Sequence, residues 1–571
     1  MPPLPHVDAR LRPWLACLVA IVLAGAASIG LRQDSSWDLQ NYHLYNAWAF
    51  VHGRFGLDWA PAQLQSFYSP YLDLPFYALF AADAPPRVIA FALAIPTGIA
   101  WYCFARLAAL LFAGEPEPLR TRATVVAIAI GVTAPMPVSL IGTTMNDWYV
   151  AACVLGALLL VVREGDPRAA STRAWVAAGA LVGAAAGLKL TGSIYAVGLF
   201  VAVLALRRWR ATLACTAAMA GAFALTAGPW FATMIARYGN PLFPYFNQVF
   251  RSPWADPVSF SATRFGPATP YEWLVFPYML LVKLEGYVAE PEFRDARPAL
   301  LYTLCLVALG LALWRRRQRR HGAEGASPSP DARGKGRGEG PPPPSPRSVS
   351  DTSYEVSDTA YDVSDTDAAA DACVSRPAWR FLAIFAATAF VAWAVLYRIA
   401  RYLVPLELLA GVFIVGLVVR LVPARRVTLA LVVALGAVIV TAKFPTWWRQ
   451  PFGAHFLTVE RPPVKPDALV LLVTPEPMSY VLPSFPADAR FAGLVSNFND
   501  PGRRNRLQDT IAQAIRDHRG TLYSLAVPPG RDEGAAALAQ MGLVRTQCSE
   551  LRTNLRVSPL ELCELARRPP P

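Results

Sequence analysis

Eleven apolar runs separated by short polar segments dominate the chain: Trp14 to Leu31, Val88 to Ala113, Ala123 to Ile141, Trp148 to Val162, Ala174 to Leu188, Thr191 to Leu206, Ala211 to Ile235, Ala299 to Trp314, Phe381 to Tyr397, Leu403 to Val419 and Val427 to Ala442. A helix of about 20 apolar residues crosses the hydrocarbon core, and runs of about 15 to 17 do so with anchored ends or local thinning. The pattern therefore predicts a mostly α, polytopic membrane helix bundle of about 11 spans. After Pro445 the pattern changes. Ala468 to Thr474 and Leu522 to Val527 read as strands, and Arg503 to Arg519 as a helix with Leu507, Ile511 and Ile515 on one side. A small C-terminal α/β domain over 444–571, outside the membrane and able to bury a core of its own, is expected.

Orientation comes from the arginines. With the N-terminus inside, the cytoplasmic segments hold Arg10 and Arg12, Arg120 and Arg122, Arg163, Arg168 and Arg173, Arg207, Arg208 and Arg210, the run Arg315 to Arg320, and Arg420, Arg425 and Arg426. Every second loop is basic. This leaves outside Arg32 to Arg87, Gly142 to Asp147, Lys189, Arg237 to Pro298, Arg398 to Tyr402 and everything after Lys443. Residues 315–377 begin basic, pass through four consecutive prolines, and then repeat Ser-Asp-Thr at Ser350, Ser357 and Ser364 without apolar heptad positions, so a disordered cytoplasmic linker is expected. The domains expected are thus 1–314, an N-terminal transmembrane region with outward loops, then the linker 315–377, C-terminal transmembrane helices over 378–443, and the outer domain.

The first outward segment, Gln33 to Arg54, draws the chemistry. As an α-helix over 37–51 it would place Trp37, Leu44, Trp48 and Val51 on one stripe and Asp38, Asn41, Tyr42 and Tyr45 on another. One stripe could lie on the bilayer at headgroup level, the other offering a carboxylate to an aqueous pocket. His43 is a pocket candidate, although no histidine has metal-ligand spacing. Asp38 is also readable as a solvated loop acid, or as an acid in a first helical turn behind an N-cap at Asp34, Ser35 or Ser36, the more common fate of a surface acid.

Composition narrows the class. Of 571 residues 54% are hydrophobic and 16% charged, with mean hydropathy +0.33, more apolar surface than a soluble fold of this size needs. The net charge of +13 sits in short clusters between apolar runs, which points to inward loops rather than nucleic acid. No cysteine pair has metal-type spacing, and Cys548 with Cys563 is the one pair placed to form a disulfide. No convincing small-residue cleavage motif follows the first run, which reads as a retained anchor.

Charges near span ends supply the other candidates. Asp147, after Asn146 in an outward turn, doubles as an ordinary helix start. Lys189, in Gly187-Leu-Lys-Leu-Thr-Gly192, could hold an anionic headgroup or merely anchor a turn. Tyr397-Arg-Ile-Ala-Arg-Tyr402 places Arg398 and Arg401 outside, where planar guanidinium forks suit phosphate and snorkelling is the competing account. Arg106 snorkels toward the inner face. The segments Tyr238 to Asn247 and Tyr271 to Tyr278 could stack on sugar rings, with interfacial packing the more ordinary reading.

Together these features resemble the type C superfamily of polytopic membrane glycosyltransferases (GT-C). Asp38 in Ser-Trp-Asp-Leu-Gln-Asn-Tyr-His matches the family's acid after the first span, Asp147 its second outward acid, and Arg401-Tyr402 with Pro405 the late arginine-tyrosine segment of bacterial members. The resemblance covers roughly residues 10–443. It departs in having no Asp-Glu pair after the first span and in the 315–377 insertion. It implies a polyprenyl-phosphate sugar donor, an acceptor hydroxyl on a glycan, lipid or protein, and an active site on the periplasmic side of a bacterial inner membrane. Asp38 would be the base, Lys189, Arg398, Arg401 and Tyr402 would hold the donor phosphate, and Asn41, Tyr42 and His43 would line the pocket. Asp147 would position the acceptor or hold a divalent metal ion; no other cofactor is implied. A single displacement would invert the anomeric carbon. A flippase or transporter of lipid-linked saccharides, for which Glu407 is the nearest midplane acid, and a surface-polysaccharide polymerase or ligase are the alternatives.

Overall fold

The computed structural model describes residues 12–258, 260, 265–282, 286–324, 376–528 and 531–568. All eleven apolar runs carry helix within this range. Among the described residues six helices are long and apolar enough to cross a membrane: Arg12–Gly30, Pro86–Leu111, Trp209–Tyr238, Arg297–Gln318, Arg376–Leu396 and Ala400–Leu421, with shorter apolar helices at Asp147–Val162, Thr172–Leu188 and Leu190–Ala205.

Small residues set the closest helix contacts. Gly179, Gly183 and Gly187, one turn apart, face the helix Trp209–Tyr238. A Cβ on them would stand 2.2 Å from the Cys215 carbonyl oxygen, 2.1 Å from that of Met219 and 2.0 Å from Thr226 Oγ1. Backbones this close give apolar helices their dispersion contact in a medium that offers no hydrophobic drive. Gly411 packs likewise on the helix Leu119–Val132, its Cβ position 2.3 Å from the Ala127 carbonyl oxygen. These two seams fix the helix ends that carry Lys189 and Arg401.

The third run does not continue as one helix to Ile141. Its helix stops at Val132, Ala134 is extended, and a separate short turn covers Pro135–Ser139. Proline removes a donor and forces the preceding residue out of the helical region, so Pro135 ends the helix. The exposed carbonyl end is held by Arg297, fully buried, which donates to Ile130 O at 2.7 Å and Thr133 Oγ1 at 2.8 Å and pairs with Asp295 at 2.8 Å. Residues 315–324 also differ from expectation. They continue the helix Arg297–Glu324 instead of opening a linker; residues 325–375, with the Ser-Asp-Thr repeat, lie outside the described residues, and 376–377 belong to the helix Arg376–Leu396.

The C-terminal part holds a six-stranded mixed sheet in the order β1-β5-β6-β4-β2-β3, with β1 Val459–Glu460, β2 Leu469–Leu472, β3 Arg490–Gly493, β4 Leu522–Ala526, β5 Leu543–Thr553 and β6 Leu560–Arg567. β2 pairs in parallel with β3 and β4; the other pairings are antiparallel. Cys548 and Cys563 are directly opposite each other on β5 and β6 and form a disulfide. The predicted helix is Arg506–Asp517, capped by Asn505.

This region does not close its core alone. Side chains alternate across a strand, so Val470 and Leu472 join one core cluster with Leu39, Tyr42, Leu44 and Tyr45 of the first outward segment, while Leu469 and Leu471 join another with Ile511, Ile515, Trp230 and Met234. Trp59 adds to the edge of β3, its N–H donating to Phe491 O at 2.9 Å and its carbonyl accepting from Gly493 N at 2.8 Å. Arg54, paired with Asp58, also donates to the Ala487 and Ala489 carbonyls. The expected two-faced helix is corrected in part: Leu44 of the stripe assigned to the headgroups is buried along with Asp38, Asn41, Tyr42 and Tyr45, Trp37 and Trp48 are half-buried and Val51 is exposed, because the turn Ser479–Ser484 packs over the segment.

Candidate active site

The segment after the first helix enters through Asp34. Its Oδ1 accepts from Ser36 N at 2.9 Å, and its Oδ2 accepts from Thr144 N and Thr144 Oγ1, both at 2.8 Å. One carboxylate thus ties the Asp38 segment to the Gly142–Asp147 turn, which needs the positive φ of Gly142 (67°) and of Asn146 (63°). Ser36 Oγ accepts from Leu39 N as an N-cap.

The helix that follows is not α throughout. Leu39–His43 is a π-turn, followed by α-helix over Leu44–Val51. A π-turn carries more residues per turn than an α-helix and is frequent at functional sites. Residue i+5 therefore comes round toward residue i. Tyr42 and His43 accordingly both come to the side of Asp38: the Tyr42 hydroxyl donates to Asp38 Oδ2 at 3.3 Å, and the Tyr42 and His43 rings are 4.1 Å apart between centroids. Asn41 and Tyr45, placed on the Asp38 stripe by α-helical spacing, turn elsewhere. Asn41 donates to Ala62 O and Gln65 Oε1, and Tyr45 donates to Asp58.

Two ion pairs form the centre. Arg401 donates to Asp38 Oδ2, and Lys189 Nζ sits 2.5 Å from Asp147 Oδ1 while also donating to Met145 O. Tyr402 lies between the two cations, with Lys189 Nζ 5.6 Å and the Arg401 guanidinium 5.3 Å from its ring centroid. Its backbone carbonyl accepts from the Tyr195 hydroxyl at 2.5 Å, which fixes the segment Ala400–Leu403 against the helix Ser193–Ala205. Burial alone would push the Asp38 carboxyl up. The Arg401 guanidinium, with Lys189 adding to it, outweighs burial and holds the group below its ordinary value.

A third set backs these pairs. Asp73 Oδ1 lies 2.7 Å from His43 Nδ1 and accepts from Asn146 Nδ2 at 2.7 Å. The sequence singles out neither partner: Asn146 enters only as the neighbour of Asp147, and Asp73 sits in Tyr68-Ser-Pro-Tyr-Leu-Asp73, which carries no spacing signal. The structure thus gathers Asp38, Tyr42, His43, Asp147, Lys189, Arg401 and Tyr402. Arg398 is turned away from them. Its Nε donates to Ala394 O at 3.0 Å, and its guanidinium stacks 5.5 Å from the Trp273 ring centroid. Glu407, the acid that a carrier would need, is buried in the first turn of the helix Val404–Leu421.

Cation and acid alternate through this centre, which suits exchange of a carboxylate partner for a phosphate. Arg401 and Lys189 take one oxygen of each acid, so Asp38 Oδ1 and Asp147 Oδ2 are the atoms that a divalent ion would use. Among the described residues, the one group of three potential metal ligands at mutual ligand distance is Cys548, Glu561 and Cys563, whose two sulfurs are already bonded to each other.

Residues 67–327 match the model of glycosyltransferase family 87. The matched stretch holds Asp73, Asn146, Asp147 and Lys189, and lies between Asp38 and Arg401. The match agrees with the expectation of a membrane glycosyltransferase. No curated protein matches the chain. Among solved structures, the chain is similar to ArnT from Cupriavidus metallidurans bound to undecaprenyl phosphate, at 13% identity over 97% of this chain and 98% of that one, with a TM-score of 0.47. It is similar to the apo state of the same protein at 13% identity, 98% coverage of both chains and a TM-score of 0.48.

Proposed function

We propose, from the premise that the chain is a membrane glycosyltransferase, that it transfers a sugar from a polyprenyl-phosphate donor to a hydroxyl of a glycan, lipid or protein acceptor by a single inverting displacement. The site would face the periplasm of a bacterial inner membrane. The observation that carries the reading is the pair of cations, Arg401 and Lys189, set over one tyrosine ring and each held by an acid.

A sugar phosphate leaves as a stabilised anion, so the leaving group needs positive charge rather than a proton donor. Arg401 and Lys189 supply it, the first as a planar fork and the second as a compact ammonium. Donor binding and base activation are then one event. When the phosphate takes Arg401, Asp38 loses the contact that holds its pKa down, and burial raises it toward the range of a working base. Among the described residues both hydrogen bonds to Asp38 fall on Oδ2, which leaves Oδ1 to take the proton of the attacking hydroxyl. Asp147, holding Lys189 in place, positions the second cation; Tyr402 packs beneath both. Arg398, which stacks on Trp273, has no part in the phosphate site in this scheme.

Arg401→Ala tests the reading. Removing a cation that touches donor and leaving group alike should weaken polyprenyl-phosphate binding and lower turnover together, by about one to two orders of magnitude each. Full-length protein in lipid nanodiscs would be assayed for sugar transfer from polyprenyl-phosphate donors and for retention of the bare lipid phosphate. Unchanged retention in the variant would remove Arg401 from the phosphate site.

A further inference from the structure

The His43–Asp73–Asn146 set has an unused end. Asp73 Oδ1 receives Asn146 Nδ2 and lies 2.7 Å from His43 Nδ1. A carboxylate offers acceptors only. Nδ1 therefore carries the ring proton and donates it, and the tautomer this selects has its lone pair at Nε2. Among the described residues that nitrogen is buried without a hydrogen-bond partner, on a residue that is 3% exposed. Native interiors rarely leave such an acceptor unpaired, because its lost hydration is not repaid. The site is also built: Asp73 fixes the tautomer, Asn146 fixes Asp73, and the π-turn Leu39–His43 brings the ring to the Asp38 side.

We propose that His43 Nε2 is a hydroxyl subsite for the donor sugar, accepting a hydrogen bond from a ring hydroxyl of a sugar whose phosphate lies on Arg401 and Lys189. The inference rests on the donor reading above and adds to it the group that recognises the sugar. The donor, rather than the acceptor, is assigned because the set is anchored on the phosphate side: Asn146 binds Asp73, and its chain neighbour Asp147 binds Lys189. A lone-pair acceptor also selects by chemistry. It favours an O–H or N–H on the ligand and rejects a deoxygenated position or a bare lipid phosphate. Asp73 is a positioning residue in this account, since it acts through the ring.

The test is equilibrium binding by the full-length chain in nanodiscs of bare decaprenyl phosphate and of a series of decaprenyl-phosphate hexoses and pentoses. Wild type should hold at least one sugar-bearing lipid about tenfold more tightly than the bare phosphate. His43→Phe should lose that margin and keep its affinity for the bare phosphate, which also reports that the variant is folded. His43→Gln, whose amide oxygen can accept in place of Nε2, should retain part of the margin. The proposal is overturned if wild type makes no distinction between sugar-bearing and bare lipids, if the margin survives in His43→Phe, or if both variants lose bare-phosphate binding along with it. These outcomes separate from a failure of the donor reading. That reading falls if wild type retains no lipid phosphate at all, and the subsite falls with it; loss of discrimination alone removes only the subsite.

Discussion

Replacing Asp38 by asparagine separates two roles that the ion pair with Arg401 combines. The carboxylate takes a guanidinium and the Tyr42 hydroxyl on one oxygen. Asparagine keeps an acceptor oxygen of the same reach but cannot take up a proton. Loss of a general base costs about two to four orders of magnitude in turnover. Binding should move the other way. In wild type the donor phosphate competes with Asp38 for Arg401, and a hydrogen bond to a charged group contributes about 1.5 to 3 kcal/mol. Removing the competitor should therefore leave lipid-phosphate affinity intact or raise it, by at most about one to two orders of magnitude. The pH dependence has a defined sign. Asp38 must be ionised to act, and in the resting enzyme its pKa lies below the ordinary carboxylate value. Activity carried by it should be present above that range and fall only as the pH drops through the depressed value, with the limb moving upward when donor is bound. Transfer and retention would be measured on the same nanodisc preparation across pH. Transfer near the wild-type rate by Asp38→Asn would end its assignment as base, and loss of lipid retention would make it a binding or folding residue.

Further expectations concern the scaffold. Single cysteines at Ser66 and at Val557, which is 89% exposed, should be labelled from outside intact cells and one at Ser350 should not; external labelling of Ser350→Cys would overturn the orientation drawn from the arginines. Reducing the Cys548–Cys563 bond, which closes a loop of sequence separation 15 between β5 and β6, should cost about 3 kcal/mol on loop-entropy grounds. An unchanged melting temperature with reductant would show that the paired strands hold without it. Gly183→Leu should force the helix Thr172–Leu188 off the Met219 backbone, from which a Cβ would stand only 2.1 Å away. A loss above about 2 kcal/mol is expected, and a variant as stable as wild type by thermal unfolding would show that the seam can open.

How much of this was legible depends on the kind of interaction. Asp38, Asp147, Lys189 and Arg401 stood out because charge beside an apolar span is expensive and needs a partner. The sequence could mark them without saying which pairs with which. Asp73 and Asn146 gave no such signal, since their roles come from contacts across 30 and 73 residues that only the fold creates. The π-turn was hidden for a different reason: its extra residue alters which side chains share a face without altering the local pattern of apolar and polar positions. That single shift exchanges Asn41 and Tyr45 for His43 at the side of Asp38. The strands were visible, but not that they share a core with the first outward segment, because Leu39, Leu44 and Val470 carry no sign of which apolar partner they meet.

The two arginines of Tyr397-Arg-Ile-Ala-Arg-Tyr402 show what the fold adds to a motif. Both have the same chemistry, and snorkelling competes as an account of each. Arg398 follows the helix Arg376–Leu396 in a left-handed conformation (φ 59°), which sends its side chain back to the Ala394 carbonyl and the Trp273 ring. Arg401 lies on the 3₁₀ turn Ala400–Leu403, held by the Tyr195 hydroxyl on the next carbonyl, and meets Asp38 from a segment 363 residues away. One guanidinium is used up in packing, while the other balances a carboxylate that a phosphate could replace. The same spacing thus yields one structural and one exchangeable cation. What separates them is the backbone conformation at residue 398, a property that neither composition nor charge pattern encodes.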